Sequence, residues 1–370
     1  MTIKSAAFVS FFSVYPPKFG SAIVSKSFFE SWPDNNKKLF QISHIFNKKK
    51  NNIFTVKIIK ENIFLKLFSV FVLFFHVYRY LRKVRVKILI IEGASWIGYS
   101  FIIITLSKIF FNKIYIIYKG HSVEYEIRKK NYFIGVLSFL FEKYVYKVSD
   151  IKTSVSVIEA EKIFKFYGVK PIVFPNIIKI NNSIKDNYLK ISNLPKKYLF
   201  YSGSYDYYPN KIAIDYLVND IFPKILAKDK LLKLVLTGGG KMNYQHDWLI
   251  NLGVVSQNRY LSILKKSICL IIPSRIGFGT RVKIIEALCY GVVIISSKIG
   301  IEGIELLKNS AKSIFICHKT SNFVDTARKV ILDSNYKKIA KKNSFFYRQK
   351  YSSDARIKDI YKLSKKFIYD

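Results

Sequence analysis

The sequence predicts an α/β protein made of two doubly wound domains, each built on a parallel sheet. Apolar segments of strand length alternate with helical patterns through both halves, which is typical of parallel sheets covered by helices. A polar stretch, NNSIKDNYLKISNLPKK, separates the halves, and glycine-rich turns follow three strands of the second half. We therefore expect an N-terminal domain at 1–180, a linker at 181–197, a C-terminal domain at 198–345, and a helical tail at 346–370 that packs back toward the first domain.

The first half opens with a strand at 6–14, AAFVSFFSV, which lacks the cleavage pattern of a signal peptide. A loop containing Gly20 and Ser21 follows, and then a helix around Phe28. Further strands are predicted at 38–46, 53–60, 87–93, 114–120, 151–156 and 171–176, and further helices at 63–87, 96–111, 133–149 and from about Glu159 to Phe166.

The helical segment at 63–87 combines an apolar face with a basic end. Lys66 and His76 interrupt its apolar part, which falls short of the ~20 residues that span a bilayer. Five cations follow, at Arg79, Arg82, Lys83, Arg85 and Lys87. Such a helix either packs on the core with a solvated end or lies on an anionic membrane surface, and the residues leave both open.

The second half repeats the alternation of strands and helices. Its strands are YLFYSGS, KLVLTGGGK, a short segment ending at GVVS, CLIIPS, VVIIS and SIFICH. One helix is predicted near 210–227 and another from about Thr280 to Tyr290, where Gly291 ends it. Two helical patterns make up the tail from about residue 322.

Composition points to an anionic partner without identifying it. The 370 residues include 62 Lys and Arg against 24 Asp and Glu, a formal net charge of +38. Such a charge favours a phosphorylated substrate, acidic phospholipid or nucleic acid, although compositional bias explains cations spread along the whole chain equally well. Cys269, Cys289 and Cys317 form no CxxC pair, so we expect reduced core cysteines and, without a signal peptide, a cytoplasmic protein.

The stretch from Pro273 to Gly303 is the strongest candidate for a binding site. A strand end, a glycine loop and a helix follow one another here, and unpaired N–H groups at a helix N-terminus bind anions. Arg281 and Lys283 fall in the first turn, where cations are unfavourable unless an anion binds. Glu286, one turn later, either accepts hydrogen bonds from a ribose diol or pairs with Lys283.

Two further strand ends carry glycine loops, Ser202-Gly203-Ser204 and Gly238-Gly239-Gly240-Lys241. Glycine lets backbone N–H groups approach phosphate oxygens closely. Neither half has GxGxxG after a strand, which argues against a dehydrogenase, and the absence of GxxxxGK[ST] argues against a P-loop NTPase. HExxH, Cys/His clusters and GxSxG are also absent, which argues against metalloproteases and serine hydrolases. Asp206 is isolated and fits a turn residue better than a metal ligand.

Three segments of the second half resemble the donor domain of retaining nucleotide-sugar glycosyltransferases of family four, the group 1 branch of the GT-B fold. The family's donor-binding motif is resembled by GFGTRVKIIEALCYGVVIISSKIGIEGIEL. The first strand and helix of its donor domain are resembled by YLFYSGSYDYYPNKIAIDYLVNDIFPKI, and its second glycine strand is resembled by KLVLTGGGK. The first half matches more loosely, through YPPKFGS, GHSVEYEIRKKN and DIKTSVSVIEAEKI before FPN. The resemblance implies two Rossmann-like domains that face a central cleft.

The resemblance assigns roles to individual positions. Glu286 matches the second Glu of the family's Glu-x7-Glu motif and would hold the ribose, while Gly279, Thr280 and Arg281 would present amides and a cation to the diphosphate. His121 matches a histidine near the transferred sugar, with a structural role as the alternative. The catalytic group is thus His121, Glu286 and Arg281. Further donor-binding positions are Gly20, Ser21, Gly203, Ser204, Gly238, Gly240, Gly277, Phe278 and Lys283.

This sequence departs from the family pattern at three places. Phe278 replaces the first Glu of Glu-x7-Glu, which usually contacts sugar hydroxyls. Ser204 stands where the family has a phosphate-binding Arg, so Arg281 and Lys283 would supply the charge. Pro175–Ile177 replaces Pro-Asn-Gly. The nucleotide end of the expected site is therefore better defined than the sugar end.

The resemblance implies a metal-independent enzyme that transfers a sugar, with retention of configuration, from a nucleoside-diphosphate sugar to a glycan or lipid-linked acceptor. Cell-surface polysaccharide or lipopolysaccharide synthesis is the expected setting, with peripheral contact to the cytoplasmic face of the membrane. No cofactor and no nucleic-acid partner are expected, since the nucleotide-sugar is a co-substrate. A catalytically silent glycosyltransferase-like subunit and a basic nucleic-acid-binding protein are the alternatives.

Overall fold

The structure, a computed structural model, describes residues 6–17, 19–44, 51–58, 62–84, 87–181, 194–227, 229–307 and 312–365. Most of the predicted linker, and Arg85, lie outside these residues. The chain forms two compact units. The first comprises Met1–Ile178, Phe278–Thr280 and Ser353–Asp370, and the second comprises Lys179–Gly277 and Arg281–Ser352.

The first unit contains a seven-stranded sheet in the order β3-β2-β1-β4-β5-β6-β7. All neighbouring strands run parallel. The order reverses between β1 and β4, and open α/β sheets bind ligands at such a switch point. The strands are β1 (Ala6–Ser10), β2 (Lys38–Ser43), β3 (Ile53–Lys57), β4 (Ile88–Gly93), β5 (Tyr115–Gly120), β6 (Ile151–Ser154) and β7 (Ile172–Val173).

Helices cover both faces of this sheet, which is why β4 is buried along its whole length and apolar up to Glu92. One core cluster joins α2, α3, α5 and α6 to the sheet, and a second contains Phe8, Phe28 of α1 and Ile360 of the last helix, α13. The helices of this unit are α1 (Gly20–Ser31), α2 (Ile63–Lys83), α3 (Ile97–Phe110), α4 (Glu124–Arg128), α5 (Tyr132–Val148), α6 (Val157–Tyr167) and α13 (Ser353–Lys365).

The second unit contains a six-stranded sheet in the order β10-β9-β8-β11-β12-β13. Its neighbouring strands are also parallel, and the order reverses between β8 and β11. Numbered within the unit, this is the 3-2-1-4-5-6 order of a dinucleotide-binding fold. The strands are β8 (Tyr198–Ser202), β9 (Lys233–Thr237), β10 (Leu249–Asn251), β11 (Cys269–Ile272), β12 (Val293–Ser297) and β13 (Ile314–Cys317). The predicted fold class, two doubly wound parallel-sheet units, is confirmed.

The helices of the C-terminal half of the chain differ from the sequence prediction in three places. The helix expected near 210–227 is interrupted by a π-helical turn at Leu217–Ile221, one helix at Gln257–Lys266 was not predicted, and the tail from 320 forms three helices instead of two. The helices are α7 (Tyr208–Tyr216), α8 (Phe222–Leu226), α9 (Gln257–Lys266), α10 (Val282–Tyr290), α11 (Thr320–Leu332) and α12 (Asn335–Tyr351). Cys269, Cys289 and Cys317 are buried and free, as expected.

Helix α2 ends at Lys83, whereas the sequence predicts a helix over 63–87. Within the described residues it is the one helix that could cross a bilayer by length and composition, over Phe64–Lys83, so the expectation that its apolar part is too short is wrong. One of its faces nevertheless belongs to the core of the first unit, where Val70, Leu73 and Val77 are fully buried.

Candidate functional site

The three predicted glycine loops of the second unit lie at one edge of its sheet. Gly203 follows β8, Gly238 follows β9 and Gly277 follows the end of β11. Strands β9, β8 and β11 are neighbours and parallel, so their carboxyl ends, and the loops after them, lie side by side. This edge includes the switch point between β8 and β11, where the fold places a ligand.

At two of these glycines the structure leaves no room for a side chain. Gly238 has φ 139° and its Cα lies against the carbonyl of Gly203, so a Cβ there would clash with backbone. Gly277 has φ 150°, and the guanidinium of Arg281 packs against it. A side chain at either position would displace the loop, and at Gly277 it would also move Arg281.

Helix α10 begins later than the sequence suggests. Arg281 is its N-cap residue, with an extended backbone, and Val282 is its first helical residue; the predicted start at Thr280 is wrong by two positions. Thr280 and Gly279 therefore belong to the loop, and Lys283 is the second residue of the helix. Arg281 and Lys283 still flank the unpaired N–H groups of this helix start.

Asn210, near the start of α7, links the loop after β8 to Lys283. The Lys283 Nζ donates to Asn210 Oδ1 at 3.2 Å, and the Tyr201 hydroxyl donates to the same oxygen at 3.0 Å. The Asn210 side-chain amide donates in turn to the Ser204 carbonyl at 3.1 Å. Asn210 was not predicted as a site residue, although it lies in the quoted segment YYPNK.

Lys283 is held in a partly buried environment with neutral partners. Its Nζ lies 4.4 Å from the centre of the Tyr201 ring. Among the described ion pairs none joins Lys283 to Glu286, so the pairing of these two residues that the sequence left open does not form. Burial, and then the nearby charge of Arg281, lower the pKa of Lys283 to about 7. Burial also lowers the pKa of Arg281, opposed by the charge of Glu302.

Glu286 is buried on α10, with 4% of its surface exposed. Its Oε1 accepts a hydrogen bond of 2.9 Å from the side-chain amide of Gln257, the first residue of α9. Burial raises the pKa of Glu286 to about 7, against the opposing effects of Tyr260 and Gln257. The unpredicted helix α9 therefore supplies the neighbour that orients this carboxylate.

The predicted residues Gly20 and Ser21 are the first two residues of α1 in the first unit. The loop before them is held by the buried side chain of Gln41, whose Oε1 accepts from the N–H groups of Val14 at 2.8 Å and Tyr15 at 3.0 Å. The sequence analysis placed both residues in the loop after β1, whereas α1 already begins at Gly20.

His121 follows β5 and belongs to a buried charged network that the sequence analysis missed. Its Nε2 lies 2.9 Å from Glu92 Oε2, and Lys119 Nζ lies 2.8 Å from Glu92 Oε1. Burial alone would raise the pKa of Glu92, but Lys119 and His121 outweigh it and hold that pKa at about 2. Glu92 and Lys119 are register partners on β4 and β5, so the aligned strand ends IIEG and IYKG were the available signal.

Two further buried carboxylates hold the backbone after His121. Glu142 accepts from the N–H groups of Glu124 at 3.1 Å and Tyr125 at 3.0 Å, and Glu159 accepts from that of Val123 at 3.0 Å. The segment HSVEYE is therefore fixed by side chains of α5 and α6, which keeps His121 at the end of its strand.

The predicted site residues divide between the two units. The first unit contains Gly20, Ser21, His121 and the segment Phe278–Thr280. The side chain of Phe278 is 47% exposed. The second unit contains the remaining predicted residues, which are Gly203, Ser204, Gly238, Gly240, Gly277, Arg281, Lys283 and Glu286. Within the described residues no group of three or more His, Cys, Asp and Glu is arranged to hold a metal ion.

Most of the second unit matches a known protein family. Residues 196–333 match the family model described as glycosyl transferases group 1. A comparison with curated protein sequences finds no match.

Solved structures share the fold at low sequence identity. Sucrose-phosphate synthase from Thermosynechococcus elongatus has a TM-score of 0.76 at 13% identity, covering 99% of each chain. HepE from Anabaena, solved with UDP and glucose, has a TM-score of 0.71 at 11% identity, covering 98% of this chain and 100% of its own. WaaG, described as a glycosyltransferase involved in lipopolysaccharide biosynthesis, has a TM-score of 0.67 at 11% identity, covering 98% of each chain. Residues 196–333 therefore match group 1 glycosyl transferases, and the chain as a whole shares the GT-B fold of these solved structures.

Proposed function

We propose that the second unit binds a nucleoside-diphosphate sugar and that the protein transfers the sugar to a glycan or lipid-linked acceptor. The two cations at the start of α10 are the main support. Burial lowers the pKa of both Arg281 and Lys283, so the charged form of each is disfavoured in this environment. A diphosphate bound there would offset that effect and would accept hydrogen bonds from the N–H groups of the helix start. HepE, which has the same fold, was crystallised with UDP and glucose.

The same groups suit the chemistry of glycosyl transfer. The nucleoside diphosphate gains negative charge as the glycosidic bond breaks, and cations and helix dipoles placed beforehand stabilise such charge best. The guanidinium of Arg281 lies against Gly277, and Lys283 donates a hydrogen bond to Asn210, so both cations are already placed at the helix start. We propose that they stabilise the leaving group without a metal ion.

Glu286 is proposed to accept hydrogen bonds from the ribose hydroxyls. It is buried one turn into α10, and Gln257 orients its carboxylate. Its pKa of about 7 means that a ribose diol would favour the ionised form, since hydrogen bonds to a carboxylate lower its pKa.

Retention of configuration and the role of His121 follow from the family resemblance. We propose that His121 contacts the transferred sugar. Because Glu92 contacts its Nε2, a substrate contact of this ring would use Nδ1. Glu92 is then a positioning residue, and it was not among the predicted ones.

The acceptor and its location are proposed from one solved structure with the same fold and from the net charge. WaaG shares the fold and is described as acting in lipopolysaccharide biosynthesis, which favours a surface-glycan pathway on the cytoplasmic face of the membrane. A net charge of +38 suits a lipid-linked phosphate or an anionic membrane surface.

Substitution of Glu286 tests the donor site. Thermal-shift measurements with UDP-, GDP- and ADP-sugars first identify the nucleotide, since a ligand at 100 times its Kd stabilises by roughly 2.7 kcal/mol. Glu286→Gln should then cut donor turnover severely with an unchanged circular dichroism spectrum. Glu305→Gln is the control, because that carboxylate is exposed in the same unit. Unchanged turnover in Glu286→Gln would refute the site.

A catalytically silent subunit is the second candidate, favoured by Ser204 in place of the family's Arg and by the exposed Phe278. Slow hydrolysis of the identified nucleotide-sugar without acceptor would argue against it. Donor binding with neither hydrolysis nor transfer would support it.

A further inference from the structure

The first unit presents an apolar outer surface that core packing does not explain. On α2, phenylalanines recur at positions 64, 68, 71 and 75, a spacing that places them on one helix face. Between 48% and 77% of each side chain is exposed, whereas Val70, Leu73, Val77 and Leu81 on the other face are fully buried. The buried face suffices to pack α2 on the sheet, so the exposed one needs another explanation.

This surface, called here the three-helix face, continues over α3 and α5. Buried residues of α2, α3 and α5 join the same core cluster, so the three helices cover one side of the sheet. Phe110 at the end of α3 is exposed and contacts the rings of Phe74 at 5.9 Å and Tyr78 at 5.6 Å. On α5 the exposed apolar residues are Tyr132, Phe133, Val136 and Leu140.

The charges of the three-helix face are of one sign. All three helices lie within the described residues, and their single carboxylate is Glu142, which is completely buried. Exposed cations lie along the aromatic side chains: the guanidinium of Arg79 is 5.6 Å from the Phe75 ring, and that of Arg82 is 5.8 Å from the Tyr78 ring. Other cations on these helices are Lys66, Lys83, Lys108, Lys143 and Lys147, of which Lys108 pairs with Asp150.

We propose that the three-helix face docks the protein on a bilayer that contains anionic lipids. Apolar and aromatic side chains on the outer side of a helix lower their free energy by entering the boundary between headgroups and acyl chains. Cations beside them gain from the negative surface potential, and their long side chains reach the headgroups. A soluble protein partner would instead be expected to meet some carboxylates here, but the three helices expose none, and Asp150, just after α5, is paired with Lys108. This docking does not depend on the proposed transferase activity.

Flotation with vesicles tests the docking on the full-length chain. Binding is expected to vesicles of phosphatidylcholine and phosphatidylglycerol at about three to one, with little binding to phosphatidylcholine alone and weakening as salt rises. Phe68→Ser combined with Phe71→Ser should lower the partition coefficient about ten-fold or more. The melting temperature should change little, because both side chains are exposed.

A matched pair in the second unit provides the control. Phe345 and Phe346 on α12 are exposed to a similar degree, 61% and 51%, and Phe345→Ser with Phe346→Ser should leave the partition coefficient unchanged. The proposal is overturned if wild-type protein does not float with anionic vesicles, or if both double variants lose binding equally. It is also overturned if the Phe68/Phe71 variant floats normally but dissolves a dimer, since the face would then bind a second copy.

Discussion

Replacing Lys283 by Met should make the protein more stable and its nucleotide binding weaker. The ammonium group of Lys283 donates a hydrogen bond to the neutral Asn210 and lies over the ring of Tyr201. If Lys283 served only in packing, its replacement would make the protein less stable. A residue kept for an anionic ligand should show opposite effects on stability and binding.

The pKa of Lys283 limits the size of the gain. It falls from the ordinary 10.5 to about 7, and one pKa unit corresponds to about 1.4 kcal/mol, so the charged group costs at most about 5 kcal/mol. Because the unfolded chain binds the proton more readily, this cost is absent above pH 10.5, grows as pH falls and is complete below about 7. Loss of the hydrogen bond to Asn210 offsets part of the gain, so we expect roughly 1–3 kcal/mol at pH 7.

The measurement combines urea unfolding with nucleotide-induced thermal shifts. Lys283→Met should unfold at higher urea at pH 7, with the difference shrinking toward pH 10, and its thermal shift with the identified nucleoside diphosphate should largely disappear. Lys337→Met is the control, because Lys337 on α12 also has a pKa lowered by burial but lies outside the glycine loops; it should gain stability and keep the nucleotide shift. A destabilised Lys283→Met with normal nucleotide binding would refute the reasoning.

Two further predictions concern titration and the network in the first unit. Nucleotide affinity should be highest near pH 7: below it Glu286, with a pKa of about 7, becomes protonated and accepts ribose hydrogen bonds poorly, and above it Lys283 loses its charge. Isothermal titration from pH 5.5 to 9 measures this, and Lys283→Met should remove the alkaline limb; a flat profile would contradict both roles. Glu92→Gln should destabilise by about 3–5 kcal/mol in urea unfolding, because it leaves Lys119 buried without its carboxylate. Adding Lys119→Met should recover part of that loss, and a fully additive double variant would show that the pair is not coupled.

The order of strands and helices could be predicted because it depends on local pattern. Strands buried on both faces are continuous apolar runs, as in ILII at the start of β4, and helices end at residues such as Gly291, which adopts the left-handed conformation at φ 70°. The adjacency of the three glycine loops also followed, since parallel strands place their carboxyl ends at the same edge. Errors arose where tertiary packing overrides local preference, as at the short helix α9 and the start of α10.

The sequence by itself therefore determined the α/β class, the glycine loops and the donor-type motif around Arg281, Lys283 and Glu286. Only the tertiary structure decided which side chains form hydrogen bonds with these residues. Asn210 lies 73 positions before Lys283, and Gln257 lies 29 before Glu286, so no local pattern reveals either contact. The pKa values of Lys283 and Glu286 depend on burial, which exists only once the helices pack on the sheet and exclude water.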